Sequence, residues 1–176
     1  NLGLFYGMGK AKLQAELGVS KEKADELFTI YHERVPFVKS LMNSVSNRAQ
    51  QRGQIRTLLG RLCRFHLWEP SKFGMHKALP FDQARQEHGA SIKRAYTYKA
   101  LNKLIQGSAA DMTKKSMLEL YKEGIVAHIQ VHDELDISVE DDIKAKRIKE
   151  IMESAVELEI PNKVDYEFGK NWGDIK

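Results

Sequence analysis

Residues 129–139 alternate apolar and polar side chains on both sides of a short charged run, and this pattern restricts the fold most. The apolar members are Ile129, Val131, Leu135, Ile137 and Val139. A period of two is typical of half-buried strands, so two strands are predicted to meet at His132-Asp133-Glu134. A hairpin tip usually has Asn-Gly or Asp-Gly because its turn requires positive φ, but this run has no Gly. The sequence therefore predicts a hairpin over residues 126–140, and turn geometry does not explain the residues at its tip.

Two interpretations fit the charged tip. The adjacent carboxylates of Asp133 and Glu134 repel each other, and a divalent cation with oxygen ligands would relieve that repulsion. A solvated loop accounts for the same charges without any ligand. On this stretch alone, a metal-binding catalytic tip and a solvated loop are both open.

The composition is that of an ordinary globular protein with a basic balance. Hydrophobic residues make up 42% of the chain and charged residues 30%, and the net charge is +4. This balance favours nucleic acid as a partner without establishing it. The single Cys63 excludes a disulfide framework and a Cys-rich zinc site. No run of about 18 apolar residues occurs, so no membrane partner is expected.

Helical periodicity, caps and breakers divide the chain into predicted elements. In chain order they are helices over residues 10–17, 21–33 and 37–51, a basic hairpin over 54–65, a long loop with one short helix over 66–90, a helix over 91–123, the hairpin over 126–140, a helix over 141–159 and a strand over 164–168.

Polar residues follow one line of the predicted helix over residues 91–123. Tyr98, Asn102 and Gln106 are spaced four apart, and the small residues of Gly107-Ser-Ala-Ala-Asp111 come next. Amide side chains both donate and accept hydrogen bonds, which suits minor-groove or sugar contacts. Close packing of this helix on a sheet explains the small residues equally well, and both interpretations can hold together.

Three separated stretches together resemble the polymerase motifs of family A DNA polymerases, in order and approximate spacing. They are Asn1-Leu-Gly-Leu-Phe-Tyr-Gly7, Asn102-x-x-x-Gln106-Gly-Ser-Ala-Ala-Asp111 and Gln130-Val-His-Asp-Glu-Leu135. Thr57-Leu-Leu-Gly-Arg-Leu-Cys-Arg64 also resembles that family's Gly-Arg-Arg region, and Gly169-Lys-Asn-Trp172 its C-terminus. The resemblance covers nearly the whole chain, and the long segment after Phe65 looks more like bacteriophage members.

The resemblance implies a role for each matching residue. Asp133 would bind metal in a two-metal Mg²⁺ site, with Glu134 as a neighbouring acid, and His132 would touch the primer terminus. Asn102 and Gln106 would contact the primer–template duplex. The incoming nucleotide and templating base would stack against the end of a fingers helix, formed by Leu2, Tyr6 and Gly7.

Two positions depart from the family pattern. Leu2 stands where the family often has Phe or Tyr, a position linked to sugar discrimination, so nucleotide selectivity is not implied. Tyr98 stands where many members have an Arg that binds the duplex, and Lys99 and Arg94 are the candidates to replace that contact.

The first metal-binding Asp of the family and the Arg and Lys that bind the triphosphate would lie before Asn1. The chain does not begin with Met, and we expect the gene product to start further upstream. The second carboxylate of the metal site would then come from outside this chain. The implied partners are primer–template DNA, dNTPs and the upstream polymerase portion, in the cytoplasm, or in the host cytoplasm if a phage encodes the protein.

We therefore expect an α+β fold that is mainly helical, with later fingers helices over residues 1–53 and a palm portion with a small antiparallel sheet over residues 54–176. The expected function is part of a template-directed DNA polymerase that is inactive without its upstream part. The alternative is a non-catalytic nucleic-acid-binding remnant of the same fold. A helical domain whose hairpin charges are only solvated leaves the three-motif coincidence unexplained.

Overall fold

The computed structural model describes residues 2–6, 8–72, 74 and 76–175, apart from the side chain of Leu2. The chain divides into two units, Asn1–Gln106 and Gly107–Lys176. Helices predominate, and the strands form small antiparallel sheets, so the expected α+β class is confirmed. No helix in the described residues is long and apolar enough to cross a membrane.

The first unit begins with four helices whose ends follow local signals. They are α1 (Leu2–Phe5), α2 (Lys10–Leu17), α3 (Lys21–Arg34) and α4 (Pro36–Arg52). The Ser20 side chain caps α3 by accepting from Lys23 N at 3.2 Å, and Pro36 occupies the first turn of α4, where a missing N–H costs nothing. The predicted helices are confirmed to within about two residues, the usual scatter of helix ends.

A hairpin packs against the C-terminal half of α4. Strands β1 (Gln54–Arg56) and β2 (Leu62–Arg64) pair antiparallel, which confirms the predicted basic hairpin. The buried cluster that joins them to α4 consists of Val45, Ala49, Ile55, Phe65 and Ala100. Because helix and hairpin bury the same apolar side chains, each depends on the other for its core.

The segment over residues 66–90 has more structure than predicted. Its short helix is confirmed as α5 (Phe81–His88), but three strands form a sheet in the order β4-β3-β5. The strands are β3 (Leu67–Pro70), β4 (Leu79–Pro80) and β5 (Ile92–Arg94). They are too short for a period of two to be visible, and Pro70 and Pro80 argue against strands in a sequence. Pro80 is tolerated because β4 is an edge strand.

The predicted helix over residues 91–123 starts too early, because Ile92–Arg94 pairs with β3 instead. Tyr96 then adopts φ 61°, a left-handed conformation, ahead of a 3₁₀ turn, Thr97–Lys99. Helix α6 runs over Ala100–Lys122. It ends in a Schellman motif, in which Ile125 N donates to Leu120 O at 2.9 Å and Gly124 N to Tyr121 O at 3.0 Å.

The second unit contains a hairpin and a helix around one apolar cluster. Strands β6 (Ile129–Val131) and β7 (Glu134–Asp136) pair antiparallel, and α7 covers Asp142–Ser154. The buried cluster consists of Leu120, Ile125, Ile148 and Ile151, with Leu135, Ile137, Val139 and Met152 packed against it. Both predicted elements exist but are shorter than the hairpin over 126–140 and the helix over 141–159.

The predicted strand over residues 164–168 is wrong, because these residues form no strand. The segment follows α7 instead: Val164 N donates to Glu153 Oε1 at 2.9 Å, and Lys149 Nζ lies 5.7 Å from the Tyr166 ring centroid. Tyr166 and Phe168 are 40% and 49% exposed and their rings contact each other, so the apolar alternation here does not mark a strand.

Arg94 joins the parts of the first unit. Its Nε donates to Gln50 O at 3.2 Å and its Nη1 to Phe65 O at 2.9 Å, while its guanidinium lies 4.5 Å from the Trp68 ring centroid. A Cβ at Gly53 would stand 2.7 Å from Arg94 Cζ. Helix α4, the loop after β2 and the small sheet therefore meet at one guanidinium.

We expect Arg94→Ala to lower the free energy of unfolding by about 2 kcal/mol or more, because two partly buried backbone carbonyls lose a charged donor and Trp68 loses a cation–π contact. Urea denaturation followed by Trp68 fluorescence, in a Trp172→Phe background, measures the change. Arg85→Ala is the matched control, since its guanidinium lies 6.0 Å from the Phe81 ring centroid, and should cost about 0.5 kcal/mol. Equal losses in both variants would contradict this account.

Candidate active site and nucleic-acid interface

The tip of the β6–β7 hairpin is a two-residue loop with strained backbone. Val131 pairs with Glu134, so His132 and Asp133 form the loop. His132 has φ 53°, the positive value that such a turn requires and that a non-Gly residue adopts at a cost of about 1 kcal/mol. The Gln130 side-chain amide donates to His132 O and holds this conformation. A strained residue kept at a tip points to a role in function.

The hairpin has one covered face and one open face. Leu135 and Ile137 pack against the cluster of the second unit and fix β7. On the other face, Ile129 and Val131 are 42% and 40% exposed. His132, Asp133 and Glu134 are all exposed. The structure therefore anchors the strands and presents the charged tip to solvent, as the sequence predicts.

The tip supplies only part of a metal-binding set. Carboxylate oxygens are the ligands that Mg²⁺ prefers, and Asp133 and Glu134 provide them side by side. Among the residues that the structure describes, no three His, Cys, Asp or Glu side chains lie close enough to hold a metal ion. The donors fit a Mg²⁺ site in chemical type but do not complete one.

A second group of predicted site residues meets in the first unit. The Gln106 side chain donates from Nε2 to the Tyr6 hydroxyl at 2.9 Å, which joins residues of two motifs. Asn102 lies one turn earlier on α6 and is exposed, as is Gln106. Gly7 and the side chain of Leu2 lie outside the described residues.

The small residues after Gln106 are partly open. Ala109 and Ala110 are exposed, whereas Asp111 is 6% exposed. In the second unit, the strip therefore exposes the small side chains of Ala109 and Ala110 and buries its carboxylate.

Lys99, a candidate for the duplex contact in the sequence, and Lys103, which the sequence does not single out, both lie over aromatic rings. Lys99 Nζ lies 5.2 Å from the Tyr96 ring centroid and 5.6 Å from that of Tyr98, and Lys103 Nζ lies 5.1 Å from that of Phe65. The spacing of two lysines by four residues beside tyrosines was the signal in the sequence. It could not be separated from an ordinary solvated helix face.

The chain is similar over its whole length to known DNA polymerases. The DNA-directed DNA polymerase of Pseudomonas phage M6 is 33% identical over 206 residues, which cover 98% of this chain and 28% of that protein. DNA polymerase I of Bacillus caldotenax is 34% identical over 185 residues, which cover 100% of this chain and 19% of that protein. The chain thus spans less than a third of the length of these relatives.

A solved structure and a family model agree with these relatives. The polymerase domain of Pol1 from M. smegmatis, in complex with DNA primer–template and dNTP, matches 97% of this chain and 29% of its own chain, with 28% identity and a TM-score of 0.72. The model for DNA polymerase family A matches residues 1–174. The chain therefore belongs to DNA polymerase family A.

Proposed function

We propose that this chain is part of a template-directed DNA polymerase that extends a primer from dNTPs during DNA replication. The observation that carries the proposal is the strained hairpin tip, where His132, Asp133 and Glu134 are exposed within a motif of the family. Strain and adjacent charges both disfavour such a tip in a purely structural role.

In the proposed reaction, the primer 3′ hydroxyl loses its proton to solvent as its oxygen bonds to the α-phosphorus of a dNTP, and the bond from that phosphorus to the bridging oxygen of the β-phosphate breaks to release pyrophosphate. Asp133 would hold Mg²⁺, with Glu134 beside it, and His132 would contact the primer terminus. Mg²⁺, when bound, activates the hydroxyl and neutralises charge on the leaving group. The short loop of the hairpin, fixed by the packing of Leu135, keeps these side chains in position.

The second carboxylate of the metal site comes from outside this chain in our proposal. Support comes from the incomplete donor set at the tip and from the far greater length of the relatives. The partner is the upstream polymerase portion, and activity requires both parts.

Tyr6, Asn102 and Gln106 bind the substrates in this proposal, with Leu2 and Gly7 contributing to the nucleotide side. The hydrogen bond from Gln106 to Tyr6 fixes the hydroxyl end of the tyrosine. In the proposal a base stacks on that ring, and Asn102 contacts the duplex. The division of the chain into fingers over residues 1–53 and palm over residues 54–176 stays part of the proposal.

We expect Asp133→Ala to lower primer extension by about three orders of magnitude, because a bound metal contributes several kcal/mol of charge stabilisation. Extension of a labelled primer is measured with Mg²⁺ and four dNTPs, using this chain together with the upstream polypeptide. Asp165→Ala, an exposed carboxylate in the same unit, should leave the rate unchanged. Substantial extension by Asp133→Ala would contradict the metal role. DNA binding by the wild-type mixture without any extension would instead favour a non-catalytic remnant.

We expect His132→Asn to stabilise the chain by about 0.5–1 kcal/mol while lowering primer extension, since Asn tolerates positive φ but lacks the imidazole ring. Denaturation followed by circular dichroism gives the stability, and the extension assay gives the activity. His128→Asn is the control. Among the described non-Gly residues only Tyr96 and His132 have positive φ, so this substitution should not raise the stability. A loss of stability in His132→Asn would refute the strain argument.

A further inference from the structure

We propose that Lys99 and Lys103 bind backbone phosphates of the primer–template and supply the cationic contact that Tyr98 does not. The inference rests on the proposed function, because it names groups that hold the duplex of that reaction. It is carried by the positions of the two ammonium groups at the start of α6.

Both ammonium groups lie over aromatic rings and not beside carboxylates. Lys99 Nζ stands over Tyr96 and Tyr98, and Lys103 Nζ over Phe65. In the described part of the chain, no carboxylate lies within salt-bridge distance of either lysine. A ring orders the ammonium without neutralising its charge, so both cations remain able to bind an anion.

Tyr96 gives an independent reason to assign this surface a role. It is a bulky residue with φ 61° and ψ 15°, and such a conformation costs about 1 kcal/mol. Its ring is 39% exposed, so burial in the core does not account for the strain. The ring does contact Lys99, and Lys99 N donates to Tyr96 O at 3.0 Å. The strained turn therefore positions the lysine.

Arg94 cannot make the duplex contact while the fold is intact. Its guanidinium donates to the carbonyls of Gln50 and Phe65 and covers Trp68. Arg94 and Lys99 are the two candidates to replace the contact at Tyr98. Arg94 is hydrogen-bonded to backbone carbonyls, so Lys99 is the better candidate.

The lysines are placed correctly for a backbone contact. Lys99 ends the 3₁₀ turn and Lys103 lies in the first turn of α6, next to the exposed residues Tyr98, Asn102 and Gln106. Lysine binds phosphate as a point charge and reads no base, which suits an enzyme whose duplex has any sequence. The amides on the neighbouring line then face sugars and base edges.

The test is the salt dependence of primer–template binding, measured by fluorescence anisotropy of a labelled duplex with this chain at several salt concentrations. Each phosphate contact contributes about 0.9 to the slope of log K against log salt. We expect the Lys99→Ala/Lys103→Ala double variant to lose about 1.8 from the slope, with circular dichroism unchanged.

The matched control is Lys115→Ala/Lys122→Ala, which removes the same charge from the same helix. Both lysines hydrogen-bond to Glu119. Lys115 first, and then Lys122, lower the pKa of that carboxyl, so both ammonium groups are already paired with a carboxylate. We expect this control to leave the slope unchanged. Adding Tyr98→Arg to Lys99→Ala should restore about 0.9 of the slope.

An unchanged slope in the Lys99→Ala/Lys103→Ala variant, or an equal loss in the control, would overturn this inference while leaving the proposed function standing. Absence of primer–template binding by the wild-type chain, both alone and mixed with the upstream polypeptide, would overturn both.

Discussion

The first unit depends on one partly buried cation. A guanidinium removed from water is costly unless its donors are satisfied, and Arg94 satisfies them with carbonyls from α4 and from the loop after β2. Gly53 leaves room for the contact, since a Cβ there would stand 2.7 Å from Arg94 Cζ and would displace the guanidinium. The Gln50 amide completes the junction, donating to Arg94 O at 3.2 Å and accepting from Arg94 N at 2.9 Å when oriented to satisfy both groups. Because β5 leads directly into the turn before α6, this junction also fixes where the proposed DNA-binding helix begins.

Elements that depend on neighbouring residues are predicted correctly, whereas elements that depend on partners far away in the sequence are not. Helices α2, α3 and α4 are set by caps and breakers a few residues away, such as Ser20 and Pro36, and the sequence carries those signals directly. The strands of the β4-β3-β5 sheet have two to four residues each, so their pairing depends on partners elsewhere in the chain. The predicted start of α6 is wrong for the same reason, because Ile92–Arg94 pairs with a strand elsewhere in the chain. The apolar alternation around Tyr166 marks no strand, because Tyr166 and Phe168 stay exposed and contact each other.

The candidate site divides in the same way. His132, Asp133 and Glu134 could be predicted because a hairpin tip without Gly contradicts local turn chemistry, and the positive φ of His132 is the physical form of that contradiction. Lys99 is a candidate for the duplex contact only through the family resemblance, and Lys103 is not predicted at all. A lysine over a ring differs from a solvated lysine only through tertiary structure, and Phe65 comes from a distant hairpin. The hydrogen bond between Tyr6 and Gln106 likewise joins residues 100 positions apart.

A two-stranded hairpin is marginally stable by itself, and this one has a single covered face. The apolar residues of its open face, Ile129 and Val131, are each at least 40% exposed, and the carboxylates at its tip provide an incomplete ligand set. In our proposal, a strand of the upstream portion that carries the second carboxylate would cover the open face and complete the ligand set. Folding of the hairpin, association with the upstream portion and Mg²⁺ binding would then be thermodynamically linked, each favouring the others through the same assembled state. The positive φ of His132 costs free energy, and the packing of β7 offsets that cost by holding the tip in place.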